Sequence, residues 1–162
     1  MVEADIVFDK GDSGAAGIEL VEAGRLKKGD LLMMKDRPCK VVNFSTAKVG
    51  KHGSAKAMVT AIDIFTSNKY EGTFGSGDMI DRPVLVKTEY TVVNIEEDGF
   101  VHLMNEAGEI KEDLKLPEDD WLADENKRIK KIFEDGKREC LVTVFAAMGQ
   151  EKIVSVREGN DM

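Results

Sequence analysis

Cysteine is scarce in this 162-residue chain: Cys39 and Cys140 are the only two, and they stand far apart. Two thiols so placed exclude a disulfide-dense scaffold and fit a reducing compartment. No apolar run approaches the ~20 residues needed to span a bilayer, so no membrane association is expected. The opening Met1-Val2-Glu3-Ala4-Asp5 lacks a basic segment followed by an apolar one. No secretory signal is therefore expected, and the setting reads as cytoplasmic. Histidine is as scarce as cysteine, with His52 and His102 alone, and no Cys–His or His–His ligand spacing exists for zinc. No Ser-His-Asp or Cys-His constellation can be assembled. Glu96-Glu97-Asp98 reads as a solvated acidic turn, not a catalytic carboxylate pair. The chain does not read as an enzyme.

What is present suits a packed globule, with 42% hydrophobic and 33% charged residues. The net charge of −8 conceals an uneven distribution. Residues 1–22 carry one lysine against six acids, and residues 71–162 carry twelve basic residues against twenty-two acids. Between them, residues 23–70 carry ten Lys and Arg against three acids. Screening limits the reach of the flanking acids to about 8–10 Å, so this basic block can still meet phosphate.

The pattern divides the chain into three parts. Residues 1–20 are acidic and glycine-bearing, sustain no hydrophobic period, and read as a flexible leader. Residues 21–83 hold short β-like runs at Leu31 to Met34, Lys40 to Phe44 and Ala57 to Phe65, with turns at Asp36-Arg37-Pro38 and Thr66-Ser67-Asn68-Lys69. Gly72, Gly75 and Gly77 make the stretch before Pro83 read as loop. Residues 84–162 restart the β pattern at Thr88 to Ile95, Phe100 to Met104 and Ile110 to Leu116, and close it at Cys140 to Ala147 and Ile153 to Val156. A helix from about Glu118 to Glu134 presents Leu122, Ile129, Ile132 and Phe133 on one stripe, with Gly136 as its stop. Five strands with a helix between the third and fourth describe an OB-fold barrel. The reading is thus mainly β, a small barrel followed by an OB-fold barrel with one helix. His102 and Trp121 read as packing residues and the two cysteines as buried hydrophobes; Tyr90 and Phe100 could form a base-stacking platform, a reading the acidic balance of this part makes weaker than a core or surface role.

Chemistry concentrates between the second and third runs, in Ser45-Thr46-Ala47-Lys48-Val49-Gly50-Lys51-His52-Gly53-Ser54-Ala55-Lys56. Gly50 and Gly53 bracket Lys51 and His52, and glycine permits the positive φ of a tight tip. Lys48, Lys51 and Lys56 meet no acid before Asp63. Such a finger suits a phosphate-lined cleft. A P-loop is excluded, because His52 stands where Ser or Thr is required and no glycine stands five residues before Gly50.

These residues resemble the modification loop of the eukaryotic translation initiation factor 5A family, which is related to bacterial elongation factor P. The likeness continues through GDSGA (11–15), DRPCKVV (36–42), AIDIFTSNKYEG (61–72), LMNEAGEIKEDLKLPEDD (103–120) and AAM (146–148). Asp36 stands where the family usually has glycine. Further departures fall at Ala47, Val49, Ser54 and Thr73 to Met79; Lys51 and its two glycines are unaffected.

The resemblance implies an SH3-like first barrel and hypusine at Lys51, derived covalently from spermidine, with no cofactor of the chain's own. It implies deoxyhypusine synthase and deoxyhypusine hydroxylase as modifying enzymes, with Lys48, Gly50, His52, Gly53 and Lys56 in enzyme recognition or tRNA and ribosome contact. It further implies a monomeric factor bound to the large ribosomal subunit near the exit site and P-site tRNA. There it would promote peptide-bond formation at stalling sequences such as proline runs, and aid termination. The alternative is a general single-stranded RNA-binding OB-fold protein.

Overall fold

The computed structural model describes residues 5–6, 18–48 and 55–162. Two compact units meet in sequence between Val84 and Leu85. The first is the SH3-like barrel. Strands β3 (Leu31–Met34), β4 (Arg37–Lys48), β5 (Ala55–Asp63) and β6 (Lys69–Gly75) form an antiparallel sheet in chain order. Strands β2 (Ile18–Glu22) and β7 (Met79–Pro83) form a two-stranded ribbon, and β7 packs beside β3. Alternation explains the strands: Ala57, Val59, Ala61 and Asp63 of β5 point inward, while Lys56 and Met58 point out. Leu32, Cys39, Val41, Ala57, Val59 and Ala61 fill the core.

The turn between β3 and β4 is two residues long, because Met34 pairs with Arg37. Lys35 and Asp36 both have positive φ, 54° and 62°. That is the backbone of a type I′ hairpin, which favours Asn, Asp or Gly. Asp36 therefore fills a position suited to glycine. The turn is tighter than the expected Asp36-Arg37-Pro38, since Arg37 and Pro38 already belong to β4. Three further differences appear. The expected leader overlaps β2, which starts at Ile18, and β1 (Asp5–Ile6) pairs with Val86 and Lys87. Gly72 and Gly75 lie in a strand, not a loop. At Gly72 a Cβ would stand 2.9 Å from the Met34 methyl, so glycine serves close packing there. Arg82 and Pro83 continue β7, pairing with Glu19 and Ile18.

The second unit is the OB fold. Its sheet runs β10-β9-β8-β11-β12, with β8 at Val86–Ile95, β9 at Phe100–Met104, β10 at Ile110–Lys115, β11 at Arg138–Ala147 and β12 at Gln150–Asp161. Lys111 of β10 reaches Glu151 of β12 at 2.9 Å, tying the sheet's two ends into a barrel. Helix α1 (Ala123–Asp135) follows a 3-10 turn at Asp120–Leu122. It buries Ile129 and Ile132 against Val101, Leu103, Val142 and Ile153. Gly136 ends it at φ 64°, its amide donating to the Ile132 carbonyl. Lys127, Arg128, Lys130 and Lys131 sit before the last turn, which holds no basic residue, so only the acidic start complements the dipole.

Both cysteines are buried, and burial pushes each thiol up to about 11, which keeps them unreactive. His102 lies on the outer side of β9, bonded to Glu96, with Glu112 4.0 Å away. It is therefore not a barrel-interior residue, and Glu96 is engaged. The bond to Glu96 raises the His102 pKa. A proton titration followed by NMR should place His102 above 6.5, and Glu96→Gln should lower it. Ile129→Ala, at a site with no exposure, should cost the second unit about 3 kcal/mol, read from its urea midpoint.

Candidate functional site

The β4–β5 hairpin is the candidate site. Its register runs from Cys39↔Asp63 to Lys48↔Ala55, and β6 accompanies β5 as far as Lys56↔Gly75. Eight residue steps along β5 carry the hairpin about 26 Å from its root. On the side away from β5, Val41 exchanges backbone bonds with Gly29 and Asp30, and beyond it no strand among the described residues pairs with β4. The Lys48↔Ala55 pair leaves six residues to connect the strands, 49–54. Gly50, Lys51, His52 and Gly53 fall there and lie outside the described residues, as does the side chain of Lys48. Lys56 is described: it is exposed and pairs with Ala47.

A β-bulge at Val42 sets the phase of the hairpin. Val41 pairs with Ala61, but Asn43 pairs with Thr60, so β4 spends one extra residue. The bulge keeps Phe44 and Thr46 in step with Val59 and Ala57, whose side chains face the core. Lys56 stands in the outer series of β5.

At the root lies a group that the sequence reading did not single out. Among the described residues, Asp63 is the buried charged residue of this core, 1% exposed. Arg37 donates from Nε to Oδ2 at 2.6 Å and from Nη2 to Oδ1 at 3.4 Å. The amides of Phe65 and Thr66 donate to Oδ1 at 2.8 and 3.2 Å. Burial pushes this carboxyl up, but the Arg37 hydrogen bond and the two amides outweigh it and lower its pKa. The same hydrogen bond raises that of Arg37. One side chain thus caps the turn after β5 and clamps the first residue of β4. The available signal was an aspartate ending an apolar strand just before Phe65-Thr66-Ser67-Asn68, which is the position of a turn-capping Asx residue.

Other charges complete the surroundings. Lys35, Lys40 and Lys69 are exposed on the same unit. Among the described residues, no group of three or more His, Cys, Asp or Glu is placed to hold a metal ion. No helix among them is long and apolar enough to cross a membrane. The site offers a basic, projecting hairpin in place of an enclosed pocket.

An SH3-like barrel carrying a long hairpin, followed by an OB barrel, places the chain in the class of two-barrel, mainly β proteins. The family described as "Translation initiation factor 5A-like, N-terminal" matches residues 18–77. The one described as "Eukaryotic elongation factor 5A hypusine, DNA-binding OB fold" matches residues 84–157. Eukaryotic translation initiation factor 5A-1 of Arabidopsis thaliana is 44% identical over 93% of each chain. The factor 5A of Dictyostelium discoideum is 43% identical over 95% of this chain and 93% of its own. The solved structure of a family protein from Naegleria fowleri superposes with TM-score 0.80 at 40% identity, covering 88% of this chain and 99% of that one. The Methanococcus jannaschii factor gives 0.65 at 30%, covering 88% and 96%. The chain belongs to the translation initiation factor 5A family. Its relatives are named as translation factors, and the family is not enzymatic.

Asp63→Asn should remove the buried charge that Arg37 and two backbone amides bind and destabilise the first unit by about 2–3 kcal/mol in urea titrations. The sign with pH follows from the lowered pKa. This carboxylate stabilises the fold above the ordinary aspartate range, and its contribution is lost as pH falls through the folded value. The asparagine variant should show a shallower loss of stability between neutral and acid pH.

Proposed function

We propose that this factor acts on the ribosome after Lys51 is converted to hypusine. The observation that carries this reading is the Lys48↔Ala55 register, which leaves a six-residue connection with Lys51 between two glycines. A lysine in a short connection on a long, clamped ribbon can be inserted whole into the cleft of a modifying enzyme. There it can attack as a free amine once deprotonated. Deoxyhypusine synthase would transfer an aminobutyl group from spermidine to Nζ, and deoxyhypusine hydroxylase would add a hydroxyl. Lys48, Gly50, His52, Gly53 and Lys56 would serve enzyme recognition and RNA contact. The product has roughly twice the reach of lysine and a second cationic amine.

A ribbon that long and that basic fits the exit site of the large subunit, with its tip toward the acceptor end of P-site tRNA. Its contribution to peptide-bond formation at stalled proline runs would be positional and electrostatic, steadying the tRNA without exchanging protons with it. The reading as a general RNA-binding OB protein is weaker on charge. Residues 85–162 carry eleven Lys and Arg against nineteen Asp and Glu, an unfavourable balance for phosphate.

Intact mass spectrometry of protein from its native cells should show the chain heavier by one hydroxylated aminobutyl group. Lys51→Arg should remove the increment and abolish relief of stalling in a reconstituted translation assay. Equal relief by the modified chain and the arginine variant would refute the proposal. Salt-sensitive RNA affinity that survives the substitution would favour the general RNA binder.

A further inference from the structure

Within the first unit, β4 outruns its neighbour β3. From Asn43 to Ala47 it pairs with β5 on one side, and no strand among the described residues pairs with it on the other. Alternate residues of such a strand aim their amide and carbonyl outward, ready to bond a further strand. Proteins usually blunt an open edge with lysine, proline, an inward charge or a bulge. The bulge at Val42 stands before this stretch, and Asn43-Phe44-Ser45-Thr46-Ala47 holds none of the others. Asn43, Ser45, Thr46 and Ala47 are exposed, while Phe44 packs against the core. Five residues is the length of an ordinary strand.

The register fixes which side chains stand beside this edge. Asn43, Ser45 and Ala47 pair with Thr60, Met58 and Lys56 of β5, and β6 adds Glu71 opposite Thr60 and Thr73 opposite Met58. A shallow hollow opens on this outer face, lined by Asn43, Ser45, Met58, Thr60, Glu71 and Thr73. Met58 is its large apolar side chain, 39% exposed. Toward the connection, Lys56 is exposed and forms no hydrogen bond or ion pair with another described residue. Ala47 lies between Lys56 and the edge and is too small to screen it from that side. Glu71 does not neutralise it: it stands opposite Thr60, four residues or about 13 Å along β5 from Lys56, and about 10 Å across the sheet from β4.

We propose that this edge takes up an extended segment of a partner protein as an added strand, with an acidic side chain beside Ala47 and an apolar one two positions away beside Ser45. The segment's backbone bonds the outward amides and carbonyls between Asn43 and Ala47. Strand residues two apart share a face, so the acidic side chain reaches Lys56 while the apolar one leans over Ser45 onto Met58. Charge complementarity selects this occupant. A second copy of the same edge would offer Lys56 only uncharged residues, and the phosphates of RNA could use the outward amides but would be repelled by the carbonyls between them. The proposal does not depend on the modification of Lys51.

The test uses the full, unmodified chain and a fluorescent peptide of serine and threonine carrying one glutamate and one leucine two positions apart. Binding is followed by anisotropy. N-methylating every second residue of the peptide should abolish binding in one of the two possible phases and change it less than about twofold in the other, because a strand bonds its neighbour through alternate residues. Lys56→Glu should weaken binding at least about threefold and reverse the preference in favour of a peptide with lysine in place of glutamate. Ser45→Lys should weaken it at least about fivefold by filling the seat of the leucine, although its charge attracts the glutamate. Asn68→Glu is the control: Asn68 accepts from the Asp63 amide at the root, and Asp63 lies about 17 Å along β5 from Met58. It should change the affinity less than about twofold. Thermal melts should show the three variants folded, and the N-methyl series needs no variant. The proposal is overturned if the peptide does not bind, if both phases of N-methylation act alike, or if Lys56→Glu leaves the preference unchanged. It is equally overturned if the chain alone sediments as a dimer that Ser45→Lys dissociates, or if a single-stranded RNA dodecamer binds more tightly and displaces the peptide.

Discussion

The hairpin on which the functional reading rests begins at a buried ion pair. Asp63 sits in the core of the first barrel with almost no contact with water, and an isolated carboxylate there would be costly. It is retained because four donors from three directions meet it: two nitrogens of Arg37 and the amides of Phe65 and Thr66. Through those bonds one residue joins the start of β4, the end of β5 and the turn that leads to β6. Of these strands, β4 and β5 continue into the hairpin and β6 runs beside them. The position of the connection at 49–54 depends on a register defined at the other end of the ribbon.

Much of this architecture is legible in the sequence, and the reasons are local. Phe100 to Met104 alternates cleanly between turn residues, and β9 occupies the same five positions. The helix stripe of Leu122, Ile129, Ile132 and Phe133 and the glycine at 136 describe α1 well. Its start is misjudged because Pro117 and the acids after it form an entry and a 3-10 turn first. The stretch before Pro83 is misread because its glycines resemble loop punctuation. At Gly72 the absent side chain makes room for Met34, a contact distant in sequence. β2 is missed for a similar reason: Ile18 to Glu22 has little pattern of its own and becomes a strand by pairing with β7.

The candidate site divides along the same line. The basic, glycine-flanked run between two strands was recognisable from composition and spacing. The Arg37–Asp63 clamp was not, because it joins residues that neither charge pattern nor periodicity relates. His102 shows the limit from the other side. A lone histidine in a strand reads as packing, whereas this one stands outside the barrel against Glu96. Sequence patterns report which face a strand buries more readily than they report partners across the surface.

The extra residue at Val42 restricts how a chain of this kind can drift over time. On both sides of the bulge the pairing with β5 is regular, so replacing a side chain between 43 and 47 changes chemistry but leaves the register alone. Losing or gaining a single residue there would exchange the faces of everything up to the connection. For this arm, length is held more tightly than identity.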